Sequence, residues 1–297
     1  MAVYGPYISF LKSTPKNLNL IDVQVGSTIN ETISTLSNSN LEKLFLKTYV
    51  YLNKITNIQA GEYSIEKNFI SIFNDLQNGK TVTHALVIPE GSNIYDLERI
   101  IDESKLINDC KLLSCIKTKL PFKEGILMPD KYFYKKNMKS SSILQKSHDN
   151  FMLFVANLDS NVNSLSIKDK IILASIIEKE AGNNDEKIKI ANVFIQRIKI
   201  NMRLQADPTI IYGLLPNFDG DIKKDDILDK NNIYNTYMNA GLPPTPISIT
   251  SKSSIEAAFN GVGGDYLFFV ANSPNSHYFS KTYQEHLNKI NELGLNK

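Results

Sequence analysis

The chain has 297 residues, 33 basic against 31 acidic, for a formal charge of +2. That balance argues against nucleic acid as a partner, which calls for a clear basic excess. Hydrophobic residues make up 42% and charged residues 22%, the composition of a soluble globular protein able to bury a core without metal or disulfide support.

Ala2 to Leu11 is apolar apart from Ser9 and is followed by Lys12. It reads as a buried strand or as the tail of a membrane anchor. No run approaches the roughly 20 apolar residues of a full span. From Ile21 a small α+β unit follows. Val23 and Val25 alternate as in a strand, Gly26-Ser27 makes a turn, and Thr28 opens a helix carrying Ile29, Ile33 and Leu36. A second helix is predicted through Leu41, Leu44, Phe45 and Tyr49. Ala60 to Ile65 gives a turn and short strand. Phe69, Ile72, Phe73 and Leu76 form another helical face ending near Gly79, and Thr83 to Pro89 is a strand.

Beyond a boundary near residue 84, helices are predicted around 95–118 and near 140–158, with an irregular segment, Glu124 to Asp130, between them. The later part alternates helices with loops and includes a strand, Tyr266 to Ala271. The class is α+β. Cys110 and Cys115 cannot form a zinc site alone. They are two unrelated thiols, or a local disulfide that needs a turn between them and an oxidising compartment.

Ser166 to Gly182 is the most informative segment. Ser166 is a good N-cap with Asp169 three residues on, and Gly182 is placed to end the helix in the left-handed conformation. Leu173, Ile176, Ile177 and Glu180 share one helical face, whereas Glu178 points away and reads as a solvated charge. An acid on an apolar face at a helix C-terminus has two reasons to hold its proton: burial and the negative end of the helix dipole. Such a group suits proton donation to a leaving oxygen. The plain alternative is a buried glutamate neutralised by Arg197 or Arg203.

In Arg203 to Thr209, Asp207-Pro208 fits an N-cap and first helical position, while Arg203 and Gln205 are free to bond a polar ligand. Tyr234-Asn235-Thr236-Tyr237 precedes the proline loop Gly241 to Pro246, a combination suited to a sugar cleft. Among the four histidines, His277 follows the late strand and borders either a cleft or solvent. No HExxH, GxSxG, P-loop or dinucleotide pattern is present.

These segments carry a resemblance. Ile172 to Glu180 resembles the catalytic-helix motif of the endolytic murein transglycosylases, the YceG-like family. Val193 to Arg197, Met202 to Thr209, Tyr234 to Tyr237 with Gly241 to Pro244, Tyr266 to Val270, and His277 with Phe279 follow in order. Ala60 to Tyr63, Pro89 to Gly91, and Glu124-Gly125 with Pro129, Asp130 and Tyr132 also fit. The resemblance implies an N-terminal segment, 1–19, as the remnant of a membrane anchor that is absent or trimmed here. It implies a small LysM-like module over 20–84 and a mixed α+β catalytic domain over 85–297.

It further implies cleavage of the MurNAc-GlcNAc β-1,4 bond within peptidoglycan glycan strands, with 1,6-anhydro ends and termination of nascent strands. The alternatives are a lysozyme-like hydrolase and a non-catalytic peptidoglycan-binding protein. Glu180 is the expected catalytic acid and base, with Glu178 as the alternative. Gln205, Tyr234, Asn235, Tyr237, Arg203, Asp207 and His277 are the expected substrate-binding or site-shaping residues. No metal or cofactor is expected. The expected partners are glycan strands and cell-wall synthesis proteins, and the expected location is the periplasmic face of the bacterial inner membrane.

Overall fold

A computed structural model describes residues 4–16 and 19–295. They fall into two compact units. One contains the chain up to Leu86 with Lys105–Ile107 and Phe133–Met138. The other contains Val87–Ser104, Asn108–Tyr132 and the chain from Lys139 onward.

The first unit runs α1 (Tyr4–Leu11), β1 (Leu20–Val23), α2 (Ile29–Leu36), α3 (Asn40–Leu52), β2 (Gly61–Ser64), α4 (Phe69–Asn78) and the start of β3 (His84–Ile88). β1 and β2 pair antiparallel, Leu20 opposite Ser64. Thr28 and Glu31 form a reciprocal capping box that starts α2. Gly79, at φ 64°, ends α4 in the left-handed region that glycine adopts cheaply. Ile33, Leu46, Tyr63, Ile65, Phe69, Ile72, Phe73 and Leu76 make the core.

Three expectations change here. Tyr4 to Leu11 is a helix, not a strand; Leu11 enters the core and Phe10 stacks on Phe69 at 4.5 Å. (Ala2 and Val3 lie outside the described residues.) Val25 falls beyond β1 and is exposed. On α3, Leu41 and Leu44 are exposed while Phe45 and Leu46 are buried, because Tyr7 and Phe10 of α1 pack on Phe45 and select the neighbouring apolar row. Among the described residues no helix is long and apolar enough to cross a membrane.

The second unit contains α5 (Ile94–Asp102), most of β4 (Asp130–Tyr134), α6 (Ser140–Ala156), α7 (Ile167–Glu180), α8 (Lys187–Lys199), α9 (Asp207–Leu214), α10 (Lys224–Leu228), α11 (Lys252–Asn260), β5 (Phe268–Ser273), β6 (Ser276–Ser280) and α12 (Tyr283–Glu292). β3 and β4 form one two-stranded sheet, β5 and β6 another. In the latter, Ala271 faces His277 and a bulge follows.

α7 is the centre of this unit. It packs against α8, α9 and α11, and every residue from Lys170 to Ile177 is buried. The single apolar face expected from Leu173, Ile176 and Ile177 is therefore one side of a helix enclosed all round. The helices predicted around 95–118 reduce to α5 and a 3-10 turn, Lys111–Leu113. That turn, with Leu112 and Leu113 left-handed, brings Cys110 and Cys115 to a Cα separation of 5.0 Å in a disulfide. A continuous α-helix would hold them about 8–9 Å apart, too far to bridge.

Candidate active site

The last turn of α7 opens on a cleft of about 400 Å³. Glu180 reaches it from α7, Arg197 from α8, Gln205 and Asp207 from the start of α9, Tyr237 from the following loop. Phe268 to Ala271 of β5, His277 of β6 and His286 of α12 also line it.

α7 ends at Ala181, which turns extended rather than left-handed while its N–H still bonds Ile177. The left-handed stop expected at Gly182 is thus absent, and that glycine serves close approach. A Cβ on Gly182 would come within 3.0–3.1 Å of backbone atoms of Asn275 at the hairpin tip. Asn183 Nδ2 donates to the Asn275 carbonyl at 2.5 Å, so the tip is latched beside the end of α7.

No described residue bonds the Glu180 carboxyl. Burial pushes its pKa up to about 7; the Asp207 charge adds to this and Arg197 opposes it. The neutralised-glutamate alternative fails on geometry. Arg197 Nε donates to the Leu267 carbonyl at 2.7 Å and Nη1 to that of Leu204 at 2.6 Å, with the guanidinium over the Phe268 ring. Arg203 Nη1 donates to the Tyr237 carbonyl at 2.6 Å. Neither arginine forms an ion pair with Glu180.

Glu178, expected to be solvated, is one of the most heavily bonded carboxylates in the molecule. Its side chain is 9% exposed. It accepts from Ser251 N at 3.0 Å, Ser251 Oγ and Ser254 Oγ at 2.5 Å each, and Lys187 Nζ at 3.3 Å. Burial alone would raise its pKa, but these donors outweigh it and hold Glu178 below the usual carboxylate range. The contacts fasten the last turn of α7 to the N-terminus of α11, where the helix dipole favours an anion.

Asp207 is not the cap of α9. Ala206 occupies that position, and Asp207 Oδ1 instead accepts from Tyr237 Oη at 2.6 Å. Gln205 is left-handed, at φ 51°, between buried Leu204 and Ala206, which turns its side chain outward onto the cleft. Such a conformation is costly for a residue with a Cβ and concentrates at functional sites. His277 Nδ1 lies 2.8 Å from Glu186 Oε2, and its backbone N–H donates to Oε1 at 2.8 Å.

The profile of the YceG-like family matches residues 21–292. The chain belongs to the YceG-like family. Over 92% of its length it is 30% identical to an endolytic murein transglycosylase of Bacillus subtilis, covering 83% of that protein. It is 24% identical to one of Streptococcus pneumoniae over 95% of this chain, spanning 59% of that longer relative. A crystal structure of a yceG-like protein from Listeria monocytogenes superposes with a TM-score of 0.58 at 31% identity. That match covers 91% of this chain and 97% of the other.

Within this family member the expected site residues divide. Glu180, Gln205, Asp207, Tyr237 and His277 meet at the cleft. Tyr234, Asn235 and Arg203 are not among the residues lining it. Tyr234 bonds Thr245 Oγ1 at 2.8 Å and packs on Tyr212. Arg203 is turned to the Tyr237 backbone. Asn235 is fully buried; its Nδ2 donates to the carbonyls of Asp226, Ile227 and Asp229, and its Oδ1 accepts from Tyr237 N. It holds the loop that presents Tyr237 and has no group left for a sugar. Asn235→Ala is accordingly expected to lower stability by about 2–3 kcal/mol, roughly one per abandoned carbonyl, with KM unchanged in the surviving folded enzyme. Thermal melts alongside steady-state kinetics check this.

Sequence reasoning missed Glu186 and the contributions of Phe268, Phe269 and His286. The strand was legible, but which of its residues face the cleft depends on the hairpin and on α12. It also missed Glu124, 4% exposed, whose pKa burial raises to about 7 although Ile94 N, Gly125 N and Tyr212 Oη all donate to it. Glu124 joins α5 to α9 and is not among the cleft residues.

Proposed function

We propose that this chain is an endolytic murein transglycosylase with Glu180 as its acid. It cleaves the MurNAc-GlcNAc β-1,4 bond within peptidoglycan strands and leaves 1,6-anhydro-MurNAc ends. The observation that carries this reading is a cleft-lining carboxyl with no protein partner, kept protonated to about pH 7 by burial and by Asp207. The names of its relatives agree with it.

Protonated Glu180 donates to the glycosidic oxygen while positive charge develops at the anomeric carbon. The muramyl 6-hydroxyl then attacks that carbon and gives up its proton to a base in the cleft, so the substrate supplies the nucleophile that a glycosidase obtains from water or from a second carboxylate. Gln205 and Tyr237 hold the strand across the acid, and Asp207 sets the proton affinity of Glu180.

The hydrolase alternative has one observation in its favour: Asp207 is a second carboxylate in the same cleft. Digestion of purified peptidoglycan, followed by mass spectrometry of the muropeptides, separates the two. Anhydro ends support the transglycosylase; reducing muramic ends would replace it with a hydrolase.

Residues 20–84 are read as a LysM-like module ahead of the catalytic domain. The strand-helix-helix-strand order β1-α2-α3-β2, with the two strands paired, supports this. The enzyme acts outside the cytoplasm, where its substrate lies and where the Cys110–Cys115 disulfide persists. Attachment to the inner membrane and contact with synthesis proteins rest on the family resemblance.

Because the acid form of Glu180 is required, cleavage is expected to fall as pH rises through about 7. Asp207→Asn removes a charge that raises the Glu180 pKa, so the alkaline limb should move to lower pH. Rates of anhydro-end formation between about pH 5 and 9 measure the shift.

A further inference from the structure

A transglycosylase that relies on one glutamate asks it to protonate the leaving oxygen and then to collect the proton of the attacking hydroxyl. The cleft is also lined by His277. We propose that His277, held by Glu186, is the base that accepts the 6-hydroxyl proton, leaving Glu180 to act as acid. This rests on the transglycosylase reading above.

His277 lies on β6 opposite Ala271, and both line the cleft with Glu180. Glu186 follows α7 in a 3-10 turn and is 8% exposed. One of its oxygens takes the His277 backbone N–H and the other takes Nδ1, each at 2.8 Å. A carboxylate that grips both the backbone and the ring fixes the side-chain rotamer. It also places the proton of the neutral ring on Nδ1, so Nε2 carries the lone pair. Phe269 packs against the ring in a T-shaped contact, centroids 5.4 Å apart. Burial works to raise the Glu186 pKa, yet the His277 bonds, with the charges of His277 and Lys189, hold it below the usual range. Glu186 is therefore an anion ready to stabilise an imidazolium.

The other candidates lack this preparation. Asp207 is tied through Oδ1 to Tyr237. His286 stacks on Phe268 with its Nδ1 buried and unpartnered, so nothing sets its tautomer. Glu186 from the turn bonds His277, and Lys189 from α8 acts on Glu186. The other charged and titratable groups lining the cleft are Glu180 from α7, Arg197 from α8, Asp207, Tyr237, Tyr283 and His286.

The step balances without any other reactant. The Glu180 proton passes to O4 as the C1–O4 bond breaks. The O6 proton passes to His277 Nε2 as the O6–C1 bond forms. The products are an anhydro end, a free 4-hydroxyl, a Glu180 carboxylate and an imidazolium on Glu186. Solvent in the open cleft then carries the imidazolium proton back to Glu180.

The test is kcat/KM against pH on purified uncrosslinked glycan strands, for the parent chain and for His277→Gln, Glu186→Gln and Asp207→Asn, each checked for folding by thermal melt. A free base and a protonated acid give a bell; a lone glutamate gives only the alkaline limb. His277→Gln keeps a donor for Glu186 and should cut kcat by about 10²–10³-fold at nearly constant KM, with the acid limb gone. Glu186→Gln should cost about tenfold or more in kcat at nearly constant KM, because the ring loses the anion that orients it and stabilises the imidazolium. Imidazole in the buffer should partly restore His277→Ala.

A parent profile without an acid limb would overturn the proposal. So would a His277→Gln enzyme within about threefold of the parent in rate with an unchanged profile, or loss of the acid limb in Asp207→Asn instead. A fully active Glu180→Gln enzyme would overturn the underlying transglycosylase reading itself.

Discussion

Glu180→Gln is expected to reduce release of anhydro-muropeptides by about 10²–10⁴-fold, the range associated with a positioned general acid. The amide has the same shape and cannot give up a proton to the glycosidic oxygen. The fold should survive, because no protein group depends on the carboxylate for a hydrogen bond. Stability should even shift in the variant's favour at neutral pH. The Glu180 pKa is raised from 4.5 to about 7 in the folded chain. Between those values the folded state holds more protons than the unfolded one, so stability contributed by this residue falls as pH rises through that window. The amide removes that dependence. Mass spectrometry of digests gives the activity, and melts at about pH 5 and pH 8 give the stability. Full cleavage by a folded Glu180→Gln protein would sink the assignment.

Glu178→Ala, two residues away, should do the reverse. Removing this carboxylate strands Lys187, which is itself buried, and leaves Ser251 and Ser254 without their shared acceptor. Loss of one partner of a buried pair costs about 3–5 kcal/mol, which is a large part of the stability of an ordinary domain. The sign with pH is also opposite. A carboxyl held below its ordinary 4.5 contributes stability that is fully present above that value and is lost as pH falls through the folded pKa. The difference between parent and variant in denaturant melts should therefore be full at neutral pH and shrink progressively as pH falls below 4.5. An exposed Glu178 would produce almost no change, so a variant within about 0.5 kcal/mol of the parent would refute the network.

The two glutamates also mark where sequence reasoning stops. Spacing along α7 put Glu180 with Leu173, Ile176 and Ile177, and that row does end at the cleft. The same spacing sent Glu178 to solvent, because a helical wheel contains no information about a second helix. α11 supplies Ser251 and Ser254 more than seventy residues later, and their hydroxyls turn an apparently free charge into a buried one. Asn235 fails for the same reason: an amide beside two tyrosines looks like a sugar contact until three carbonyls from 226–229 use up its donors.

What the amino-acid order determined alone is local. The capping box at Thr28, the cap at Ser166, the left-handed stop at Gly79 and the apolar row of α4 are set by groups within a few residues of one another. Each is visible in the chain because its partners are close in sequence. Tertiary structure decided the rest. It chose which row of α3 is covered and converted Gly182 from a helix stop into a point of close approach for Asn275. It also gathered Glu180, Asp207, Tyr237 and His277 around one cleft from four separate segments. Proton affinity belongs to this second class. Burial and a neighbouring charge fix it, and both depend on groups that become neighbours only when the chain folds.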